Sequence, residues 1–259
     1  MDYTLSRRLT AEFLGSLFLT MTAISATILG YNVLGAGIPL TVFMDAIAVG
    51  FMLFVLIEVF GPISGAHFNP AVTLSFMAAK SMKVNEGLLY ISIQFLGGFV
   101  GMLSSHLMFF QAVPQLITIS TVSRSEGNYF SEFLGTFILV LAIWCLSKYR
   151  SKLTGLAVGM LVGGLLIATS STMFANPQVT FARIFTYAIA GVHPEDGIVF
   201  IFTEFLAALV ATGVATFLLK ETQMTVRKNA ATPWQQAEAE HQSHSLSGLI
   251  KETFDSDFL

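Results

Sequence analysis

The chain has 259 residues, of which 54% are hydrophobic and 11% charged, and a mean hydropathy of +0.72. Such a composition is too apolar for a soluble globular domain and selects a polytopic membrane protein. The formal net charge of −3 says little, because its acidic excess comes largely from the C-terminal residues, and no nucleic-acid partner is expected. The single cysteine, Cys145, excludes an intrachain disulfide and a cysteine metal cluster.

Residues 1–8 precede the first apolar segment and carry Arg7 and Arg8. That segment outruns a signal-peptide core and has no clear cleavage site, so it is read as a retained span. Full spans are expected at about 9–30, 38–60, 86–109, 129–147, 153–173 and 198–219, each near the 20 residues that cross a bilayer. Two apolar stretches, about 69–80 and 176–190, are too short to cross. Each opens on Asn-Pro: Asn69-Pro70-Ala71 and Asn176-Pro177-Gln178. Proline suits the first helical turn, where its missing N–H has no partner to lose. Asparagine just before it is a strong N-cap. Both stretches therefore read as capped half-helices inside a bundle.

Cations fall in alternate connections. Arg7 and Arg8, Lys80 and Lys83, Lys148, Arg150 and Lys152, and Lys220, Arg227 and Lys228 share one side, while Arg124, Arg183, Glu126, Glu195 and Asp196 mark the other. By the positive-inside rule both termini are expected in the cytoplasm, in a cell (inner or plasma) membrane. Residues 9–220 form the membrane domain. Residues 221–259 turn polar and are expected to be a mostly disordered cytoplasmic tail, with a short amphipathic stretch near Leu246–Phe254.

The chain also repeats itself. Ala11-Glu12-Phe13-Leu14-Gly15 recurs as Ser131-Glu132-Phe133-Leu134-Gly135, Ala48-Val49-Gly50 as Ala157-Val158-Gly159, and Gln94-Phe95-Leu96 as Glu204-Phe205-Leu206. The two Asn-Pro pairs recur in the same order. The halves, about 9–110 and 129–220, hold three spans each, and an odd number inserts them in opposite orientation. The expected fold is an all-α membrane protein with six transmembrane helices and two re-entrant half-helices in an inverted repeat. Interrupted segments at matching places in such repeats mark the functional site near the midplane.

The duplicated halves, the paired Asn-Pro half-helices and the string Ser64-Gly65-Ala66-His67-Phe68-Asn69-Pro70-Ala71-Val72-Thr73 together resemble the aquaporin (major intrinsic protein) family over about 10–220. The resemblance implies a passive channel domain with no cofactor, no metal and no covalent chemistry. It also implies a homotetramer in the lipid bilayer that conducts small uncharged solutes. Asn69 and Asn176 would then orient a passing hydroxyl at the pore centre, where two half-helix N-termini repel cations. Glu12 and Glu132 match the family's glutamates that brace the re-entrant loops, and His67 would brace and line the pore. Gln178, where the family has alanine, adds polar volume near the centre.

In the family, a constriction draws on positions 20 before the first motif Asn, and 12 before, three before and three after the second. Here these are Val49, Gly164, Met173 and Val179. The aromatic, histidine and arginine of water-selective members are all missing, so the filter is expected to be wide and apolar. Glycerol-like polyols should pass as well as water. A bacterial subgroup with a similar Asn-Pro-Gln-Val-Thr motif is associated with arsenical compounds, which makes metalloid species a second candidate. Arg183 lies one turn beyond Val179, and Asp45 one turn before Val49. Two readings stand: the two charges pair at the outer mouth, or Arg183 snorkels while Asp45 caps its helix.

Two rivals remain from the residues alone. Inverted repeats with broken helices also occur in secondary transporters, where Glu58 or Glu204 would carry coupled charge. A weakly conducting junction protein is the third reading. His106 and His193 stand alone and make no metal site.

Overall fold

A computed structural model describes residues 3–149 and 152–220; Arg150 and the whole of 221–259, including Leu246–Phe254, lie outside the described residues. In chain order the helices are α1 (Leu5–Thr27), α2 (Gly37–Ser64), α3 (Pro70–Ala78), α4 (Val84–Met108), α5 (Glu126–Lys148), α6 (Thr154–Ala168), α7 (Pro177–Arg183) and α8 (Pro194–Leu218). A π-helical turn, Ile28–Val33, prolongs α1.

Five of these are long and apolar enough to cross a membrane: α1 with its π turn, α2, α4, α5 and α8. The sixth expected span, 153–173, is shorter. Its helix has 15 residues, about 22 Å at the usual rise. The backbone turns extended at Thr169 (ψ 146°), a turn closes with Thr172 N–H donating to Thr169 O at 3.2 Å, and side chains hold it: Asn128 Nδ2 donates to the Ser170 carbonyl at 2.8 Å, and Ser131 Oγ meets Ser171 Oγ at 2.9 Å. The second half-helix also ends early, at Arg183 rather than 190. Beyond it the chain bonds sideways to the α4–α5 connection, with Ser120 N–H donating to Ile184 O at 2.8 Å and Thr118 N–H to Phe185 O at 3.1 Å.

The two halves repeat in space. In the first, α1 packs on α4; in the second, α5 packs on α8; α2 and α6 pack together between the halves. Small residues set these approaches, as lipid bundles require. A side chain on Gly97 would come within 2.5 Å of the Phe13 carbonyl, and the matching α8 positions are the fully buried Ala207 and Ala208. Gly50 and Gly159 occupy matching places in the repeat and touch each other. A Cβ on Gly159 would lie 2.5 Å from Gly50 O, and one on Gly50 would lie 2.9 Å from Gly159 O. Such reciprocity is the mark of a two-fold relation between the halves.

Polarity is distributed as a bilayer demands. Phe51, Phe130, Phe202 and Phe217 are exposed, whereas Glu12, Gln94, Glu132 and Glu204 are wholly buried. An intramembrane polar group left facing hydrocarbon would cost several kcal/mol, roughly, so these face inward and find partners.

Candidate functional site

The two Asn-Pro stretches meet in the middle of the bundle. Asn69 caps α3 by accepting from Ala71 N–H at 2.9 Å, and Asn176 caps α7 by accepting from Gln178 N–H at 3.3 Å. Each amide nitrogen then reaches across. Asn69 Nδ2 donates to Ala175 O at 2.8 Å, and Asn176 Nδ2 donates to Phe68 O at 2.9 Å. Phe68 and Ala175 each precede the motif asparagine, so this tie is again reciprocal.

Phe68 (φ 47°) and Ala175 (φ 46°) are held in left-handed backbone, which costs a non-glycine residue about 1–2 kcal/mol. Buried carboxylates hold them there. Glu12 accepts from His67 N–H at 3.0 Å and Phe68 N–H at 2.7 Å. Glu132 accepts from Phe174 N–H at 2.9 Å and Ala175 N–H at 2.6 Å. Each glutamate thus places its two oxygens on two successive loop amides, the geometry of a brace, and Glu12 also accepts from Ser64 Oγ at 2.6 Å. Ser64 and Ser171 complete the frame, each accepting from the N–H two residues on, Ala66 at 3.1 Å and Met173 at 3.2 Å. Matching places in the repeat point to these serines, but a hydroxyl in an apolar run gives no signal by itself.

Gln94 donates to Glu12 Oε2 at 2.8 Å and to Thr73 Oγ1 at 3.0 Å. Its counterpart Glu204 accepts from Thr180 Oγ1 at 2.7 Å. Both belong to the framework behind the half-helices. Glu58 lies against the start of α6, its Oε1 2.5 Å from where a Gly155 side chain would begin. His67 rests on the Phe76 ring at 4.7 Å, and its Nδ1 lies 3.1 Å from Thr73 Oγ1.

A cavity of about 120 Å³ runs past both asparagines. At one end it is lined by Val49, Met173, Phe174, Val179 and Arg183, and at the other by His67, Phe76, Ile57 and Ser147. Its walls are otherwise mostly aliphatic, with Leu19, Leu53, Val72, Leu139 and Ile143 contributing. Three of the four positions expected at the constriction therefore border the cavity. Gly164 does not. It is exposed on the far side of α6, and a side chain built there would meet nothing within 4 Å. The α6 residues on the cavity are Thr154, Val158, Val162 and Leu166, four apart and hence on one face. Gly164 sits two residues from Val162, about 200° around the helix. Counting back from Asn176 assumes a helical phase that the turn at 169–172 does not preserve.

Gln178 also departs from expectation. Although it follows the motif, it is not on the cavity. Its side chain is wholly buried, lies over Gly98, accepts from Thr20 Oγ1 at 3.0 Å and donates to Phe68 O at 3.4 Å. The absent side chain at Gly98 makes room for it.

Arg183 and Asp45 come together, with Nη2 3.8 Å from Oδ2 and both side chains almost fully buried. The guanidinium also sits over the Phe174 ring, 4.2 Å from its centroid, within cation–π range. Arg124, in the α4–α5 connection, approaches the same ring at 5.3 Å and donates to Gly191 O at 3.1 Å. Burial and then the Arg183 charge push Arg124 below the usual guanidinium range. Phe174 was not legible as a site residue, since one phenylalanine among 24 carries no signal. Among the described residues no group of three or more His, Cys, Asp or Glu is placed to hold a metal ion.

Residues 2–214 match the family described as major intrinsic protein. The aquaglyceroporin AqpS of Rhizobium meliloti (strain 1021) is 32% identical over 229 residues, spanning 88% of this chain and 97% of its own. Aquaporin-4 of Bos taurus is 30% identical, over 83% of this chain and 68% of its own. An X-ray structure of the aquaglyceroporin from Plasmodium falciparum aligns with a TM-score of 0.62 over 83% of this chain and 95% of that one. At 23% identity that likeness speaks to the fold. The rival reading as a coupled transporter finds no support in these likenesses. The chain belongs to the major intrinsic protein family, as a multi-pass membrane channel for the passive passage of water and small solutes.

Proposed function

We propose that this channel conducts glycerol-sized uncharged solutes together with water, and that its specificity comes from an apolar constriction at Val49, Met173 and Val179. The observation that carries the reading is the cavity running past the crossed Asn69–Ala175 and Asn176–Phe68 ties. There the N-termini of α3 and α7 add partial positive charge that disfavours cations. The asparagine amides stand at the middle of a mostly aliphatic tube whose other polar side chains include Arg183 toward one end and His67 and Ser147 toward the other, so a hydroxyl is oriented one molecule at a time and a continuous proton wire is interrupted. Val179 supplies no charge, and Val49 no aromatic bulk. Neutral metalloid hydroxides have similar size and hydroxyl chemistry and form the second solute class. The distribution of Lys and Arg supports cytoplasmic termini in a cell membrane, and the family resemblance supports a homotetramer; light scattering on the detergent-solubilised protein would reveal its mass.

Stopped-flow light scattering on proteoliposomes tests the reading with water, glycerol and arsenious acid gradients. Both solutes are expected to enter faster than into protein-free vesicles. Passage of water with exclusion of glycerol and arsenious acid would remove the apolar-constriction reading. The Val179→Arg substitution is expected to cut glycerol entry about tenfold, by putting a large cation into the tube. Unchanged glycerol entry would place Val179 outside the constriction.

A further inference from the structure

We propose that Glu204 is a neutral carboxylic acid that donates its proton in a hydrogen bond to Glu132, and that this bond positions the second re-entrant loop at the pore centre. The inference rests on the channel reading above and adds a positioning residue to it.

The inverted repeat supplies the comparison. In the first half Gln94 Nε2 donates to Glu12 Oε2 at 2.8 Å, while Glu12 holds the His67 and Phe68 amides. In the second half Glu132 holds the Phe174 and Ala175 amides in the same way. The place of Gln94 is taken there by Glu204, wholly buried on α8. Glu204 Oε1 accepts from Thr180 Oγ1 at 2.7 Å, and the carboxyl faces that of Glu132 within hydrogen-bonding reach. Oε2 is buried and has no donor among the described residues. The Asn176 N–H also faces the carboxyl, but no bond to Oε2 closes.

Two ionised carboxylates cannot share such a place, since like charges in contact and away from water repel strongly. One proton between them turns the clash into a bond. Glu132 keeps the negative charge because two amides already donate to its oxygens. The proton then belongs on Glu204 Oε2, the atom without a partner. A carboxylic acid at this position copies Gln94, donating to the glutamate that braces the loop. The charged groups facing Glu204 are Glu132 from α5 and Arg183 from α7. The remaining neighbour of α8, α3, carries no titratable side chain.

Through Glu132 the bond reaches the pore. Glu132 fixes Ala175 N–H at 2.6 Å, and the Ala175 carbonyl receives Asn69 Nδ2 at 2.8 Å. Loss of the proton to water would set Glu204 against Glu132 and loosen the loop that carries Asn176.

Infrared spectra and stopped-flow water permeability of the reconstituted full chain test this. At neutral pH the wild type is expected to show the C=O stretch of a buried carboxylic acid that is absent from Glu204→Gln. The glutamine keeps a donor without a titrating proton, so its water permeability should stay within about twofold of wild type. As the pH is raised, the wild-type band should vanish while permeability falls about tenfold, the worth of one hydrogen bond to a charged group. Both should recover on return to neutral pH, and Glu204→Gln should hold its permeability throughout. A wild type without the band at neutral pH overturns the proposal. So does a larger loss of permeability in Glu204→Gln, the result expected if Glu204 is ionised and serves as a countercharge to Arg183. A band lost with permeability unchanged, or an alkaline decline shared by both proteins, overturns it as well. If Glu204→Gln does not survive reconstitution, Thr180→Val decides. Removing that hydroxyl from Oε1 should move the band to higher frequency, and an unmoved band rejects Glu204 as the acid. Vesicles no more permeable to water than protein-free lipid would bring down the channel reading, while the infrared band would still report on Glu204.

Discussion

The residues that follow the second Asn-Pro pair do different jobs although they are neighbours in sequence. Val179 and Arg183, four apart, face the cavity, while Gln178 turns away into the contact with Gly98 and Thr20. The helix phase after the cap decides this, since adjacent residues point about 100° apart. Gln178→Ala is therefore expected to leave water and glycerol permeability unchanged. It should cost about 1 kcal/mol through the lost Thr20 hydrogen bond, read as a lower thermal midpoint in detergent. A changed solute profile would mean that the side chain reaches the pore. The glutamates illustrate the same point. By residue type alone Glu12 and Glu132 could be proton carriers; their equivalent positions and the family resemblance point to braces, and the loop amides on their oxygens give that geometry.

At the scale of the element, the short α6 has the greatest consequences. Because the chain turns extended at Thr169, the α6 face presented to the cavity is Thr154, Val158, Val162 and Leu166. Two substitutions separate this face from the expected one. Gly164→Ala adds a methyl group into open space inside a helix and is expected to stabilise by about 0.5–1 kcal/mol, with no effect on glycerol entry. Val162→Phe adds bulk to the tube and is expected to slow glycerol more than water. Stopped-flow rates for the two variants check both, and the reverse pattern would restore Gly164 to the constriction. The half-helices differ too: α3 is a clean two-turn element, whereas α7 ends at Arg183, whose carbonyl accepts from Val192 N–H at 3.1 Å.

For the whole molecule, the two-fold reciprocity of Gly50 with Gly159 and of the asparagine ties describes a channel with the same central machinery seen from either side. Nothing in that centre requires a moving charge or an alternating pair of states. Flux is therefore expected to be proportional to the gradient and equal for influx and efflux. It should also be indifferent to an imposed potassium diffusion potential. Swelling and shrinking of the same vesicles, with and without valinomycin, measure this. Rectification or voltage dependence would point to a coupled carrier instead.

The sequence by itself determined the class, the duplication and the central motif, because these are written in local chemistry. An apolar run of about 20 residues must be helical in a bilayer. Asn-Pro ahead of an apolar run favours a capped helix start, and matching strings record the repeat without any knowledge of contacts. The braces were legible through equivalent positions, Glu12 with Glu132. What only the tertiary structure decided depends on rotation and on distant neighbours. Whether Gly164 or Leu166 faces the pore depends on the phase of α6 and the path of the chain after it. Gln178 could be placed only with Gly98, 80 positions away, already packed beside it. Arg183 likewise needed Asp45 on α2 and Phe174 on the preceding loop to become a fixed group at the pore wall. Long-range packing sets these side chains, and no local pattern encodes it.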